Sequence, residues 1–150
     1  MLKRDEDLLE KVQQRATRLL PDIRHLEYSE RLKALQLPTL AYRRQRADLI
    51  QIFRILKGFD KLDAFKFFQI ADGSRTRGHK LKISKQRCHT RLRQNAFSIR
   101  SVNNWNALPD EAVNASTINQ FKSALEKHWK DHPLKYGPYL RLDGSSKRDK

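Results

Sequence analysis

Residues 40–57 carry the pattern that most restricts the fold. Large apolar side chains occupy six of eight consecutive positions, at Leu49, Ile50, Ile52, Phe53, Ile55 and Leu56. Apolar residues at this spacing form one broad face of an α-helix. Gly58 follows the segment, and glycine is the residue that most often ends a helix. The pattern predicts a helix over residues 40–57 whose apolar face is the centre of the core.

Two helices are predicted before it. Residues 5–20 repeat apolar side chains at helical spacing and end at Pro21, which cannot continue a helix. Ser29 is the predicted cap of a short second helix, because serine side chains accept from the amides of a first helical turn.

Helical spacing returns after residue 58. A short apolar helix is predicted after Asp60 as its cap, and another segment covers residues 97–105. Thr117 and Gln120 form a capping-box pattern in front of a last helix that reaches Trp129. The predicted fold is therefore mainly α, a small bundle of five or six helices with at most a short β-ribbon near residues 80–86.

The organisation predicted along the chain has three parts. Residues 1–72 form an N-terminal helical part, and residues 73–132 combine a basic segment with the C-terminal helices. Residues 133–150 contain prolines, charges and the run "DGSSKRDK", which is typical of a disordered tail. The two helical parts are expected to pack as one compact unit.

Positive charge is the dominant feature of the composition. The 150 residues have a formal net charge of +15, and residues 73–109 contain nine Lys or Arg without one Asp or Glu. We call "SRTRGHKLKISKQRCHTRLRQ", residues 74–94, the basic segment. Within it "HKLKISK" alternates apolar and charged residues, the period of a half-buried strand.

Cations without acidic neighbours form a surface suited to phosphate backbones, so RNA or DNA is the predicted partner. The candidate residues are Arg75, Arg77, Lys80, Lys82, Lys85, Arg87, Arg91 and Arg93. A solvated loop that only aids solubility is the alternative. Arg43 and Arg46, which share a helical face, are further candidates, with pairing to Asp48 or to acids of the first helix as their alternative.

The sequence offers little for catalysis. Polymerases and nucleases hold two metal ions with clustered carboxylates, and no Asp-Asp pair occurs in the chain. Cys88 is the single cysteine, too few for a zinc knuckle. We predict no catalytic residue, no metal site and no cofactor. Trp105 and Trp129 lie at apolar helical positions, which favours core packing over base stacking.

The cellular location is predicted from the cysteine content and from the charge and apolar character of the chain. One cysteine fits a reducing compartment, and the charged start of the chain lacks the apolar core of a signal peptide. No run of 18 apolar residues is present, so no membrane partner is expected. The predicted location is intracellular, in the nucleus or the cytoplasm.

Three stretches together have a familiar pattern. "LLEKVQQRATRLLPDIRHLEYSERLKALQLPTLAYRRQRADLIQIFRILKG", "SRTRGHKLKI" and "FSIRSVNNWNALPDEAVNASTINQFKSALEKHW" follow in order over roughly residues 8–130. They resemble the C-terminal region of reverse transcriptases from non-LTR retrotransposons, above all the jockey-type and chicken-repeat-type LINE elements.

This resemblance implies a piece of an RNA-directed DNA polymerase that follows the palm and lies in or beyond the thumb. None of the family's catalytic residues can be carried onto the chain, and the cysteine-rich knuckle of some relatives is missing. The resemblance therefore implies a truncated copy without catalysis of its own. Because a target-primed polymerase must hold template RNA and primer DNA while it extends the primer, we expect the basic segment to contact their backbones. The alternative is a helical scaffold that packs on the polymerase core or on another copy, with an apolar face exposed in residues 8–20 or 118–129.

Overall fold

The computed structural model describes residues 3–71 and 78–137 of the chain. These residues form eight α-helices and one short 3-10 helix, Ala64–Lys66. In chain order the α-helices are α1 Lys3–Arg18, α2 Tyr28–Ala34, α3 Leu40–Leu56, α4 Arg91–Gln94, α5 Phe97–Arg100, α6 Val102–Asn106, α7 Asp110–Val113 and α8 Ile118–His128. The predicted mainly α class is confirmed, with residues 91–113 divided among four short helices.

Tertiary contacts divide the chain into two compact units. The central unit runs from Arg43 to Asp131, and the terminal unit combines the residues up to Tyr42 with those from His132 onward. The first boundary therefore lies inside α3, whereas the sequence analysis placed it near residue 72. The sequence becomes basic at residue 73, but the chain on both sides of this position belongs to the central unit.

The core of the central unit is built on the apolar face of α3. Leu49 and Phe53 are fully buried, as predicted. Phe53 stacks on Phe121 of α8 with ring centroids 4.3 Å apart, and Phe121 also lies beside Trp105 of α6. Trp129 is buried as well. Both tryptophans are thus core residues, in agreement with the prediction, because large rings release the most apolar surface from water.

The end of α3 shows one confirmed and one wrong prediction. Gly58 adopts a φ of 74°, the left-handed conformation that ends a helix at low cost. Asp60 was the predicted cap of the next helix, but it accepts hydrogen bonds from Arg54 Nε at 3.0 Å and Gln51 Nε2 at 2.7 Å. The cap is Asp63, whose side chain accepts from the Phe65 amide. Proximity to the Arg54 cation decides the role of Asp60.

Two predicted helix caps have different outcomes. Ser29 lies inside α2 and does not cap it. Glu27 is the capping residue, and its amide donates to Glu30 Oε2 at 3.2 Å. Glutamates three residues apart can satisfy a helix start as the serine would have done. Thr117 caps α8 as predicted, because its side chain accepts from the Gln120 amide at 3.2 Å.

Helix α1 turns polar side chains toward the rest of the terminal unit. Glu10 is buried and accepts from the Tyr28 hydroxyl at 2.5 Å and from the Leu40 amide at 3.0 Å. Thr17, also buried, accepts from Arg31 Nε at 3.1 Å. The apolar side chains of α1 are exposed as a consequence, and they are Leu8, Leu9 and Val12.

Residues 132–137 correct the prediction that the tail begins at residue 133. The Thr39 hydroxyl donates to the Leu134 carbonyl at 2.6 Å, and the Thr39 amide donates to the Lys135 carbonyl at 3.1 Å. The His132 ring lies edge-on to Tyr42, with centroids 5.7 Å apart. These contacts hold the segment because buried backbone groups need hydrogen-bond partners. Residues 138–150 lie outside the described part.

Candidate nucleic-acid interface

The first half of the basic segment lies in an extended conformation beside residues 69–71. Ile83 and Ile70 form an antiparallel bridge. The Ala71 amide donates to the Lys82 carbonyl at 2.8 Å, and the Ser84 amide donates to the Gln69 carbonyl at 2.7 Å. The predicted β-type structure near residues 80–86 is therefore present as one short pairing among the described residues.

Helix α6 holds the other edge of this extended stretch. The Asn106 side chain accepts from the Ile83 amide at 2.9 Å and donates to the Ile83 carbonyl at 2.8 Å. Trp105 Nε1 donates to the Leu81 carbonyl at 2.7 Å, and His79 Nε2 bonds the Trp105 carbonyl at 3.0 Å. Hydrogen bonds on both edges fix the backbone that carries the lysines, as a sheet would do.

The predicted alternation of side chains along residues 79–83 is present only in part, because the apolar Leu81 is half-buried, as Lys82 is. His79 and Ile83 are buried, while Lys80 is exposed. Lys82 is half-buried and lies over Gly78, where a Cβ would come within 3.2 Å of Lys82 Cε. Gly78 has a φ of 103°, which other residues rarely adopt. This glycine therefore both turns the chain and leaves room for the lysine side chain.

The second half of the basic segment exposes its cations in an irregular stretch and in α4. Lys85, Arg87, Arg91 and Arg93 are all exposed. Thr90 caps α4, because its side chain accepts from the Arg93 amide at 3.3 Å. Two of the cations contact neutral oxygens, since Lys85 donates to Asn103 Oδ1 and Arg93 donates to Gln86 Oε1.

Among the described residues, four acidic residues of the central unit pair with cations outside the basic segment, and they are Asp48, Asp60, Glu111 and Glu126. Arg100 of α5 binds Asp48 through two hydrogen bonds of 2.9 and 2.8 Å, and Lys127 lies 3.6 Å from Glu111. Within residues 3–71 and 78–137, no Asp or Glu lies within ion-pair distance of Lys80, Lys85, Arg87, Arg91 or Arg93. Their charge is therefore directed to solvent or to an anionic ligand.

The two arginines of the second predicted cluster, Arg43 and Arg46, differ in their contacts. Arg43 is exposed on α3. Arg46 Nε lies 2.5 Å from Glu126 Oε1 of α8, so a carboxylate already occupies the side chain that was predicted to contact phosphate. An internal ion pair was the alternative prediction for Arg46, but its predicted partners were Asp48 or the acids of the first helix, and the observed partner is Glu126. Arg75 and Arg77 lie outside the described residues.

Exposed aromatic rings are the part of this surface that the sequence analysis missed. Phe65 is 80% exposed and Phe67 is 40% exposed. They line a groove of about 600 Å³ together with Gln86 and Arg93 of the basic segment. A signal was present in the sequence, because "FKFF" places three rings in four residues, more than one short helical turn can bury.

Neither a metal-ligand cluster nor a membrane-spanning helix is present among the described residues. In the described part of the chain, no three residues among His, Cys, Asp and Glu come together as metal ligands would. Cys88 is half-buried, with Sγ 3.5 Å from the Gln86 carbonyl. None of the helices described has both the length and the apolar character needed to cross a bilayer.

Comparison of the chain with protein-family models, with curated proteins and with solved structures finds no match. The surface just described has two features. The basic segment exposes several cations without an acidic partner among the described residues, and two exposed rings, Phe65 and Phe67, lie beside Arg93.

Proposed function

We propose that the central unit binds the phosphate backbone of RNA or DNA through the basic segment. In this proposal the chain corresponds to the region that follows the palm in a reverse transcriptase of the non-LTR retrotransposon type. This region has no catalysis of its own. Template RNA and primer DNA are the natural ligands of such a part, because a polymerase must hold both strands while it extends the primer.

The observation that carries the proposal is the set of exposed cations in the basic segment, which begins at Lys80 beside residues 81–84, the stretch that α6 and residues 69–71 bind from both edges. Within residues 43–131, 19 Lys or Arg stand against eight Asp or Glu. A surface whose only task is solubility needs neither this excess of one sign nor a fixed backbone. Both properties favour a polyanion, whose charges repeat at fixed intervals.

The assignment to a reverse transcriptase is supported by the resemblance over roughly residues 8–130 and by its three ordered stretches. The chain has no Asp-Asp pair, so the proposal gives it a part in strand binding and leaves the chemistry to a separate palm.

Salt dependence tests the proposed function. Binding of a fluorescent 20-nucleotide RNA should weaken linearly in log–log against salt, with a slope of roughly −3 to −5 for about five phosphate contacts. The test variant changes Lys80, Lys85, Arg87 and Arg91 to Glu. It should bind weakly with a flat slope, and about equally weakly for unrelated sequences, since backbone contacts carry no base information.

The matched control carries the same charge change in the terminal unit. It replaces four exposed cations by Glu, namely Lys11, Arg15, Arg24 and Lys33. The control should keep more of the parent's affinity and slope than the test variant does. Equal losses in the two variants would mean that only net charge matters, and parent-like binding by the test variant would refute the proposal.

The exposed apolar face of α1 favours a second candidate function, a scaffold that packs on a polymerase core or on another copy. Leu8, Leu9 and Val12 are 46–63% exposed, and Leu19 just beyond the helix is 82% exposed. The other face considered, on α8, is buried at Phe121 and Leu125. Exposed apolar residues grouped on one helix commonly mark an interaction surface.

Light scattering tests self-association through this face. A dimer should have twice the 17.8 kDa of one chain, and the variant with Leu8→Lys and Val12→Lys should return to one chain. Lys11→Gln with Arg15→Gln on the same helix is the control and should remain dimeric. A monomeric parent would leave only the polymerase core as a partner for this face.

A further inference from the structure

The groove beside the basic segment combines aromatic rings and a cation at one place. Its lining includes Phe65, Phe67, Gln86 and Arg93, and its volume is about 600 Å³. This volume is within the range of sites that hold small organic groups. The lining residues come from the 3-10 helix region with residues 68–70, from the basic segment and, through Ser98, from α5.

The rings are exposed although the local structure holds their backbone firmly. The Asp63 side chain accepts from the Phe65 amide at 3.0 Å, and the Phe68 amide is bonded to the Ala64 carbonyl at 2.9 Å. Phe68, next in the chain to Phe67, is buried and packs edge-on to Phe97 of α5, with ring centroids 5.7 Å apart. Phe68 therefore anchors the turn, and Phe65 and Phe67 remain available for a ligand.

The polar wall continues the row of cations. Arg93 Nη2 lies 3.2 Å from Gln86 Oε1, which orients the guanidinium beside the groove. This bond uses the oxygen of the Gln86 amide and leaves its amino group to donate. Lys66, between the two rings in the chain, is exposed and also lines the groove. A ligand in this place meets flat apolar faces, positive charge and hydrogen-bond donors together.

We propose that this groove binds single-stranded nucleic acid, with unpaired bases stacked on Phe65 and Phe67 and the adjoining phosphates on Arg93 and Lys66. The inference rests on the proposed function, and it adds the strand state of the ligand. A base has a flat face to offer an aromatic ring only when it is not stacked within a duplex. Stacking of this kind tolerates any base, because every base has a π-face.

The test compares two 12-nucleotide RNA ligands with the same charge, oligouridylate and an abasic strand. The parent should bind oligouridylate about 30-fold more tightly, since two stacked bases at the low end of the usual range contribute about fivefold each. Phe65→Ala with Phe67→Ala should remove most of this preference while the affinity for the abasic strand stays unchanged. Leu62→Ala with Leu92→Ala, which removes two exposed apolar side chains outside the groove lining, should keep it.

A second variant protects the test from a folding defect. Phe65→Leu with Phe67→Leu keeps apolar side chains but removes the aromatic faces, and it should lose the preference as the alanine variant does. If the parent binds both strands equally, or if the leucine variant keeps the preference, the groove does not stack bases.

The proposed function and this inference fail in different ways. Absence of salt-dependent binding to either strand by the parent would refute the proposed function. Salt-dependent binding without a preference for bases would refute the inference alone. Loss of a dimer on replacing the two phenylalanines, with RNA binding unchanged, would instead assign the rings to a protein contact and overturn the stacking role.

Discussion

Asn106 binds both backbone groups of Ile83, accepting from its amide at 2.9 Å and donating to its carbonyl at 2.8 Å. One side chain thereby does for the basic segment what a neighbouring strand does in a sheet. The two residues are 23 positions apart, so the bond joins α6 to the stretch that carries Lys80 and Lys82. The position of those lysines therefore depends on the uncharged side-chain amide of Asn106.

Replacing Asn106 by Ala should lower the free energy of unfolding by about 2–4 kcal/mol, because two backbone groups of a buried residue lose their partner. Urea unfolding followed by circular dichroism measures this. Asn103→Ala, which removes only an exposed contact to Lys85, should change the stability by about 0.5 kcal/mol or less. Equal effects at the two positions would show that Asn106 does not hold the segment.

Tyr28 should make the protein sensitive to alkaline pH. Burial raises the pKa of the Tyr28 hydroxyl above its usual 10.0, and the carboxylate of Glu10, which accepts its hydrogen bond, raises it further. The unfolded chain therefore releases this proton at lower pH than the folded chain does. The resulting stability is fully present below pH 10 and is lost as the pH rises above it.

Urea unfolding at a series of pH values from 8 to 11 measures this loss. Tyr28→Phe should be less stable than the parent at pH 8, because it lacks the hydrogen bond to Glu10. It should also lose less stability between pH 10 and 11 than the parent loses. Parallel curves for the two proteins would contradict the assignment, since lysine titration affects both alike.

Removing the residues after Pro133 should destabilise the terminal unit. Thr39 would lose the Leu134 and Lys135 carbonyls as acceptors, at a cost of about 1–3 kcal/mol. The reference is a chain that ends at Gly137, which keeps both acceptors. Thermal unfolding should show a lower Tm for the shorter chain, and Tm values that agree would mean that these bonds contribute nothing.

The purified chain should not extend a DNA primer on an RNA template with Mg²⁺, because two-metal catalysis needs a carboxylate cluster and the sequence has no Asp-Asp pair. Primer extension resolved on a gel measures this, with an active reverse transcriptase as the positive control. A product above the buffer blank would place catalysis in the chain itself.

The features that sequence predicted well are local ones. The apolar face of α3, its end at Gly58 and the Thr117 cap of α8 each depend on residues a few positions apart. The excess of cations in the basic segment is likewise visible in composition alone. Such features follow from helical periodicity and from charge, which tertiary contacts do not change.

The features that sequence missed depend on distant partners. Helical spacing predicted α1, but it did not reveal that Glu10 and Thr17 are buried against Tyr28, Leu40 and Arg31. Arg46 likewise pairs with Glu126, 80 positions away. In the candidate site, the sequence predicted a short apolar helix after Asp60 and did not reveal that Phe65 and Phe67 line a groove, because nothing local distinguishes a ring that packs from one that is exposed.

The terminal unit is discontinuous in sequence, and this has a consequence for biosynthesis. The bond from Thr39 to Leu134 spans 95 positions, so a chain emerging from the ribosome completes the central unit before the terminal unit receives its last segment. The cost of closing a chain grows with its flexible length, so a central unit that is already folded shortens the loop to be closed. Translation therefore favours an order in which the central unit matures first and the α1–α2 half waits for residues 132–137 to emerge. Protease treatment of a chain truncated after Asp131 should cleave residues 3–42 well before residues 43–71 and 78–128.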